Sequence, residues 1–121
     1  MKQLVLVGLG GFAGSVLRYL VHLWSINWVA NFPSGTMMVN IVGSLIIGIL
    51  AGLMIKSEQS LYALLVVGFC GGFTTFSTFA MDGLKLMKAE MWGTFFTYAG
   101  ISIIGGFAAV ILGLWLGNKL A

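Results

Sequence analysis

Gly68-Phe69-Cys70-Gly71-Gly72-Phe73-Thr74-Thr75-Phe76-Ser77-Thr78-Phe79 is the stretch on which the fold turns. It lies in a charge-free run of 21 residues, 61–81. At about 1.5 Å per residue, such a helix reaches about 31 Å, one hydrocarbon core. A membrane span is ordinarily apolar throughout, yet this one holds four hydroxyl residues and two adjacent glycines at depth. Gly71-Gly72 weakens a helix. Thr and Ser side chains can bond the backbone groups that a weakened helix releases. A helix broken inside a membrane offers carbonyl oxygens to a cation and N–H groups to an anion. One Ser or Thr alone would read as a seam whose hydroxyl bonds its own helix. Gly-Gly followed by Thr74-Thr75 and Ser77-Thr78 favours a broken helix and an ion site.

The rest of the chain supplies three more spans. Residues 35–55 form a second charge-free run of 21, and residues 91–117 one of 27. The first run, residues 3–17, needs Arg18 and the residues after it to complete a crossing, which places Arg18 near a membrane face or a wet vestibule. Turn signals separate the runs: Asn31-Phe32-Pro33-Ser34-Gly35, Lys56-Ser57-Glu58-Gln59-Ser60, and the charged connector from Asp82 to Glu90. Spans at about 3–23, 35–55, 61–81 and 91–117 follow, in one all-α integral membrane domain covering 1–121.

Composition agrees. Of 121 residues, 60% are hydrophobic and 7% charged, against roughly 25% charged in a soluble domain. A mean hydropathy of +1.06 excludes a disordered chain. One cysteine, Cys70, excludes a disulfide scaffold. The net charge of +3 is too small and too scattered for a nucleic-acid partner.

Four spans put Lys2, Lys56 and Lys119 on one side and Arg18, Lys85 and Lys88 on the other, three against three. The positive-inside rule then sets no orientation. A chain without bias inserts both ways, and a mixture acting as one object implies an antiparallel dimer. A small chain can also balance by chance, so the count alone leaves a single orientation open.

Several motifs lead elsewhere on inspection. Gly8-Leu9-Gly10-Gly11-Phe12-Ala13 matches a dinucleotide fingerprint, but no acidic residue follows about 20 positions on. Gly10 and Gly14 read better as a small-xxx-small packing face, a spacing repeated at Gly48/Gly52 and Gly113/Gly117. His22 is a lone histidine near a helix end, with no second ligand for a metal. Cys70 reads as a small packing residue, and Trp24, Trp28, Trp92 and Trp115 as interfacial anchors. No paired carboxylate or nucleophile constellation lies within a span, so the chain does not read as an enzyme.

Donors converge on the broken segment. Phe76 and Phe79 share a helix face, and aromatic ring edges carry partial positive charge. Asn40 adds an amide at depth in the second span. Tyr98 and Ser102 place two hydroxyls on one face of the fourth span, with Thr94 and Thr97 nearby. Such groups can pass a small anion without the tight grip of a lysine.

Three motifs carry a family resemblance: Gly10-Gly11-Phe12-Ala13-Gly14 leading to Arg18-Tyr19, Gly35-Thr36-Met37-Met38-Val39-Asn40-Ile41-Val42-Gly43-Ser44, and Gly68 to Phe79. On them the chain resembles the CrcB/Fluc family of fluoride channels along nearly its whole length. The resemblance implies a four-helix subunit with a broken third helix. It implies an antiparallel, dual-topology homodimer in the inner (plasma) membrane, with two fluoride pores that export fluoride and confer resistance to it. It also implies a structural sodium ion at the dimer interface, held by the backbone carbonyls of Gly71 and Thr74 from both subunits. Phe76 and Phe79 would form an aromatic box, Asn40 a pore donor, and Ser77, Thr78, Tyr98 and Ser102 a polar track. Arg18 would sit by a vestibule. Asp82 stands where the family often has Glu. The competing reading, a small dual-topology multidrug exporter, needs an intramembrane carboxylate for proton exchange, and the first span has none. A structural subunit would not need Gly71-Gly72 or the hydroxyl run.

Overall fold

The computed structural model describes all residues, Met1–Ala121, and is entirely helical. Four helical stretches are long and apolar enough to cross a membrane: Lys2–Ser25, Ser34–Gly52, Gln59–Lys88 and Trp92–Leu120. The first is α1 and the second α2. The second ends earlier than its apolar run, because Met54 turns the chain at φ 58° into a short 3-10 turn at Ile55–Ser57. The third stretch is composite. It begins as α3 (Gln59–Leu61), widens into π-helix over Tyr62–Cys70, and narrows again in α4 (Gly71–Phe73). After two extended residues it resumes as α5 (Phe76–Lys88). The fourth is α6 (Trp92–Leu120).

Two glycine seams hold these elements together. α2 packs chiefly on α6, and α1 on the first half of the third span. In the α2–α6 seam, a Cβ added at Gly113 would lie 3.0 Å from the Gly48 Cα, and one at Gly117 would lie 2.9 Å from the Gly52 Cα. The backbones therefore touch, as the spacing of these glycines predicts. Lipid tails are as apolar as leucine, so close backbone packing rather than water exclusion drives such association. Gly10 and Gly14 do the same work in the other seam: their added Cβ atoms would meet the Phe69 and Phe73 amide nitrogens, each at 2.8 Å.

Gly71-Gly72 does not break the helix, contrary to the expectation from sequence. Both residues are helical, and the backbone opens after them, at Thr74 (ψ 157°) and Thr75 (φ −152°, ψ 111°). Close packing accounts for Gly72: an added Cβ would lie 2.6 Å from the Gly11 carbonyl oxygen. Its missing side chain admits α1 rather than freeing the backbone.

The ends of the bundle carry aromatic belts. Trp24, in the last turn of α1, and Trp28, just beyond it, meet edge to face at 4.6 Å, at the same end as Trp92. At the opposite end the Lys119 ammonium lies 4.2 Å from the Trp115 ring centroid. Rings with one apolar and one wet side settle at headgroup depth.

Candidate functional site

The two extended residues are held open by a partner from another helix. The Asn40 side chain donates from Nδ2 to the Thr75 carbonyl at 3.0 Å and accepts the Thr75 N–H on Oδ1 at 2.7 Å. An amide thus replaces, on both edges of one residue, the backbone bonds that the helix gave up. Ser44 donates its hydroxyl to the Asn40 carbonyl at 2.6 Å, one turn along α2. Asn40 is therefore first a clamp on the break, and one amide hydrogen remains for anything in the cavity beside it.

Thr75 then starts α5. Its Oγ1 accepts the Thr78 N–H at 3.1 Å, an N-cap, and donates to the Thr78 hydroxyl at 3.0 Å. Ser77 lies 3.3 Å from the same oxygen and is exposed. Upstream, the Thr74 hydroxyl and N–H both go to the Cys70 carbonyl, at 2.8 and 3.0 Å. The Thr74 carbonyl accepts no hydrogen bond from the chain, and the Thr75 N–H that would ordinarily close on Gly71 is bound to Asn40. Arg18 reaches across from α1 and donates Nε to the Gly72 carbonyl at 3.0 Å.

A cavity of about 480 Å³ runs beside the break. It gathers Asn40, Phe76, Phe79, Ser102, Gly71 and Thr74 against one wall each of α2, the third span and α6. No charged residue lines it. The Phe76 and Phe79 ring centroids are 5.8 Å apart, and Phe76 is 80% exposed on the outer side. Ser102 Oγ is buried without a hydrogen-bond partner, a donor left open on a face that otherwise satisfies its polar groups.

Tyr98 does not line this cavity. It is 0% exposed and packs under Phe79, with ring centroids 5.2 Å apart, and edge to face with Phe32 at 5.7 Å. Its hydroxyl donates to Asp82 Oδ2 at 3.4 Å, long for an O–H donor. Ser77 also lies outside the cavity, and Thr78 lines a second, smaller one with Arg18. The expected track is therefore divided: Ser102 on one side of the break, Thr78 on the other, and Tyr98 beneath the Phe79 ring. Thr97 is turned away and bonds the Gly93 carbonyl at 2.9 Å.

Thr75, named in the sequence only as part of the hydroxyl run and not among the expected pore or sodium residues, lines both cavities. Its signal was present: a Thr immediately before the apolar start of a helix, here Phe76, is an N-cap pattern.

Comparison with known proteins places the chain in a family. The family described as CrcB-like protein, Camphor Resistance (CrcB), matches residues 5–114. A protein of Phocaeicola vulgatus named fluoride-specific ion channel FluC is 45% identical over 120 residues, covering 96% of this chain and 98% of its own length. Proteins of the same name from Bacteroides fragilis and Pseudomonas syringae pv. tomato are 44% and 42% identical. The first covers 98% of both chains, the second 96% of this chain and 97% of its own. With the family match reaching through all four membrane spans, and relatives aligned over nearly their full lengths, the chain belongs to the CrcB-like family.

Proposed function

We propose that this chain is a passive, fluoride-selective channel, multi-pass in the plasma membrane, that lets cytoplasmic fluoride leave down its gradient. The observation that carries the reading is the uncharged cavity beside a broken helix, lined by two phenylalanine rings, an amide and an unpartnered hydroxyl. Burying a small anion without replacing its water is prohibitive. Ring edges and neutral donors replace that water and still let the ion go. The identity of the ion comes from the relatives, which are named for fluoride. A proton-coupled drug exporter lacks its key group, since no carboxylate lines the cavity. In liposomes loaded with fluoride or chloride, purified protein is expected to release fluoride far above the protein-free background and chloride at it. Equal release of both ions removes the selectivity, and release of neither removes the channel.

The working unit we propose is an antiparallel homodimer. Thr74 and Thr75 are irregular backbone at membrane depth, and the cavity beside them opens between Val67, Phe76 and Ile103, all exposed. Lipid cannot satisfy the Thr74 carbonyl or the Ser102 hydroxyl, so irregular backbone at this depth needs protein cover. A second copy of this chain supplies it, and the even charge count permits opposite insertion. Labelling a C-terminal tag from each side of intact cells is expected to mark copies on both sides. Label from one side only contradicts dual topology.

We further propose a sodium ion at the same place. The Thr74 carbonyl is unpartnered, the Gly71 carbonyl has lost the Thr75 N–H, and an added Gly71 Cβ would meet nothing within 4 Å. Gly71 and Thr74 would hold the ion by those oxygens, one pair from each subunit. When bound, it supplies positive charge that cross-links the carbonyls and favours anions nearby.

A further inference from the structure

A second cavity, of about 250 Å³, shares the Thr75 wall with the first and lies between α1, the start of α2 and the first turn of α5. Two basic side chains line it, Arg18 and His22. Arg18 is pinned through Nε to the Gly72 carbonyl, and its terminal nitrogens have no partner in the chain. His22 stands one helical turn further on, exposed, and its ring makes no hydrogen bond within the chain. Residues four apart on a helix are neighbours.

The backbone fixes where His22 sits. An added Cβ at Gly35 would lie 3.2 Å from the His22 Cα, so α2 begins directly against this turn of α1. The first turn of α2 also faces the cavity. Ser34 and Met37 bond the loop carbonyls of Phe32 and Pro33, while Gly35 and Thr36 make no such bond. N–H groups there favour negative charge. The other groups facing His22 are Tyr19 on α1, Thr36 on α2, and Thr75 and Thr78 on the third span. No carboxylate from any of these elements lines the cavity.

We propose that His22 is a second anion-capturing residue of the pore mouth, acting beside Arg18, and that its protonation raises fluoride occupancy of that mouth in mild acid. The inference rests on the channel reading. Arg18 alone gives a fixed attraction. Histidine is the side-chain type that gains a charge in mild acid, and one added charge in a wet mouth changes local anion concentration about threefold. The effect belongs to capture, so it is large when fluoride is scarce and disappears when fluoride saturates the pore.

Electrical recording separates this from leakage of neutral HF, which carries no current. Wild-type channels in planar bilayers, at low fluoride and low ionic strength, are expected to carry about threefold more current at about pH 5.5 than at about pH 7.5. At saturating fluoride the two currents should coincide. His22→Gln should remove the rise, and His22→Lys should give the high current at both pH values. A wild-type current indifferent to pH, or a rise that persists undiminished in His22→Gln, overturns the role of His22 and leaves the channel standing. A wild-type protein with no fluoride current overturns both.

Discussion

Asn40→Asp abolishes conduction: fluoride release from liposomes falls to the protein-free background at neutral pH. Two effects act together. The amide clamps both edges of Thr75, with bonds of 3.0 and 2.7 Å. A carboxylate keeps the bond from the Thr75 N–H, but an ionised acid cannot donate to the Thr75 carbonyl and sets two acceptors against each other. The second effect is charge. Asn40 lines the uncharged cavity with Phe76, Phe79 and Ser102. A negative charge about 6 Å from a passing anion, at an effective dielectric constant of about 20, repels it by about 3 kcal/mol, roughly a hundredfold in occupancy. Asn40→Ala separates the two, because it removes the clamp and adds no charge. Its flux should lie between those of wild type and Asn40→Asp. Both variants are checked for assembly by size-exclusion chromatography before flux is measured. Wild-type flux in Asn40→Asp removes Asn40 from the fluoride path.

Much of this fold is legible in the sequence because membranes impose simple demands. Charge-free runs about 20 residues long have few alternatives to helices that span. Glycines four apart mark faces where backbones meet, and Gly48, Gly52, Gly113 and Gly117 meet as that spacing predicts. The position of the break is harder to read. Gly71-Gly72 is the weakest helical dipeptide in the span, yet an opened backbone needs partners, and the partner is Asn40, 35 residues away in sequence. Glycine permits an opening, but the clamp decides where it falls. The π-helical turns of Tyr62–Cys70 likewise pack against a helix distant in sequence. Gly68 there lies against α1, with an added Cβ 3.0 Å from the Gly10 Cα. No propensity scale distinguishes i→i+5 from i→i+4 bonding in such a stretch.

The candidate site divides in the same way. Residue types with an evident chemical handle were found, and Asn40, Phe76, Phe79 and Ser102 share one cavity. Tyr98 and Ser102 are four apart on α6 and share a face, yet one is packed beneath Phe79 and the other opens on the cavity. The difference comes from the neighbouring helix. The Phe79 ring covers Tyr98, and Asp82, one turn further along α5, engages its hydroxyl. Helical spacing predicts which residues share a face, but not which of them a neighbour covers.

Replacing sodium by a large organic cation at constant ionic strength should lower both the melting temperature of the purified protein and its fluoride flux. Mutation cannot test this site cleanly, because the proposed ligands are the backbone carbonyls of Gly71 and Thr74, which every side-chain substitution retains. Exchange of the ion can. The Thr74 carbonyl has no donor in the chain, and the break diverts the Thr75 N–H from Gly71 to Asn40. Without an ion, two such pairs brought together by a dimer axis would repel one another in a medium that offers no water. A monovalent cation suits neutral oxygens, whereas a divalent one demands anionic ligands to offset its dehydration. A ligand that binds only the assembled state stabilises it by about 2.7 kcal/mol at a hundred times its dissociation constant. That corresponds to a fall of several degrees on sodium removal for a domain of this size, at about 2–8 °C per kcal/mol. If the proposed ion is structural, lithium or potassium should restore stability and flux together, each in proportion to its fit. Unchanged melting and unchanged flux in sodium-free buffer would leave the carbonyls to water or to the Thr hydroxyls, and the pores would then have to draw their attraction for fluoride from Asn40, Ser102 and the ring edges alone.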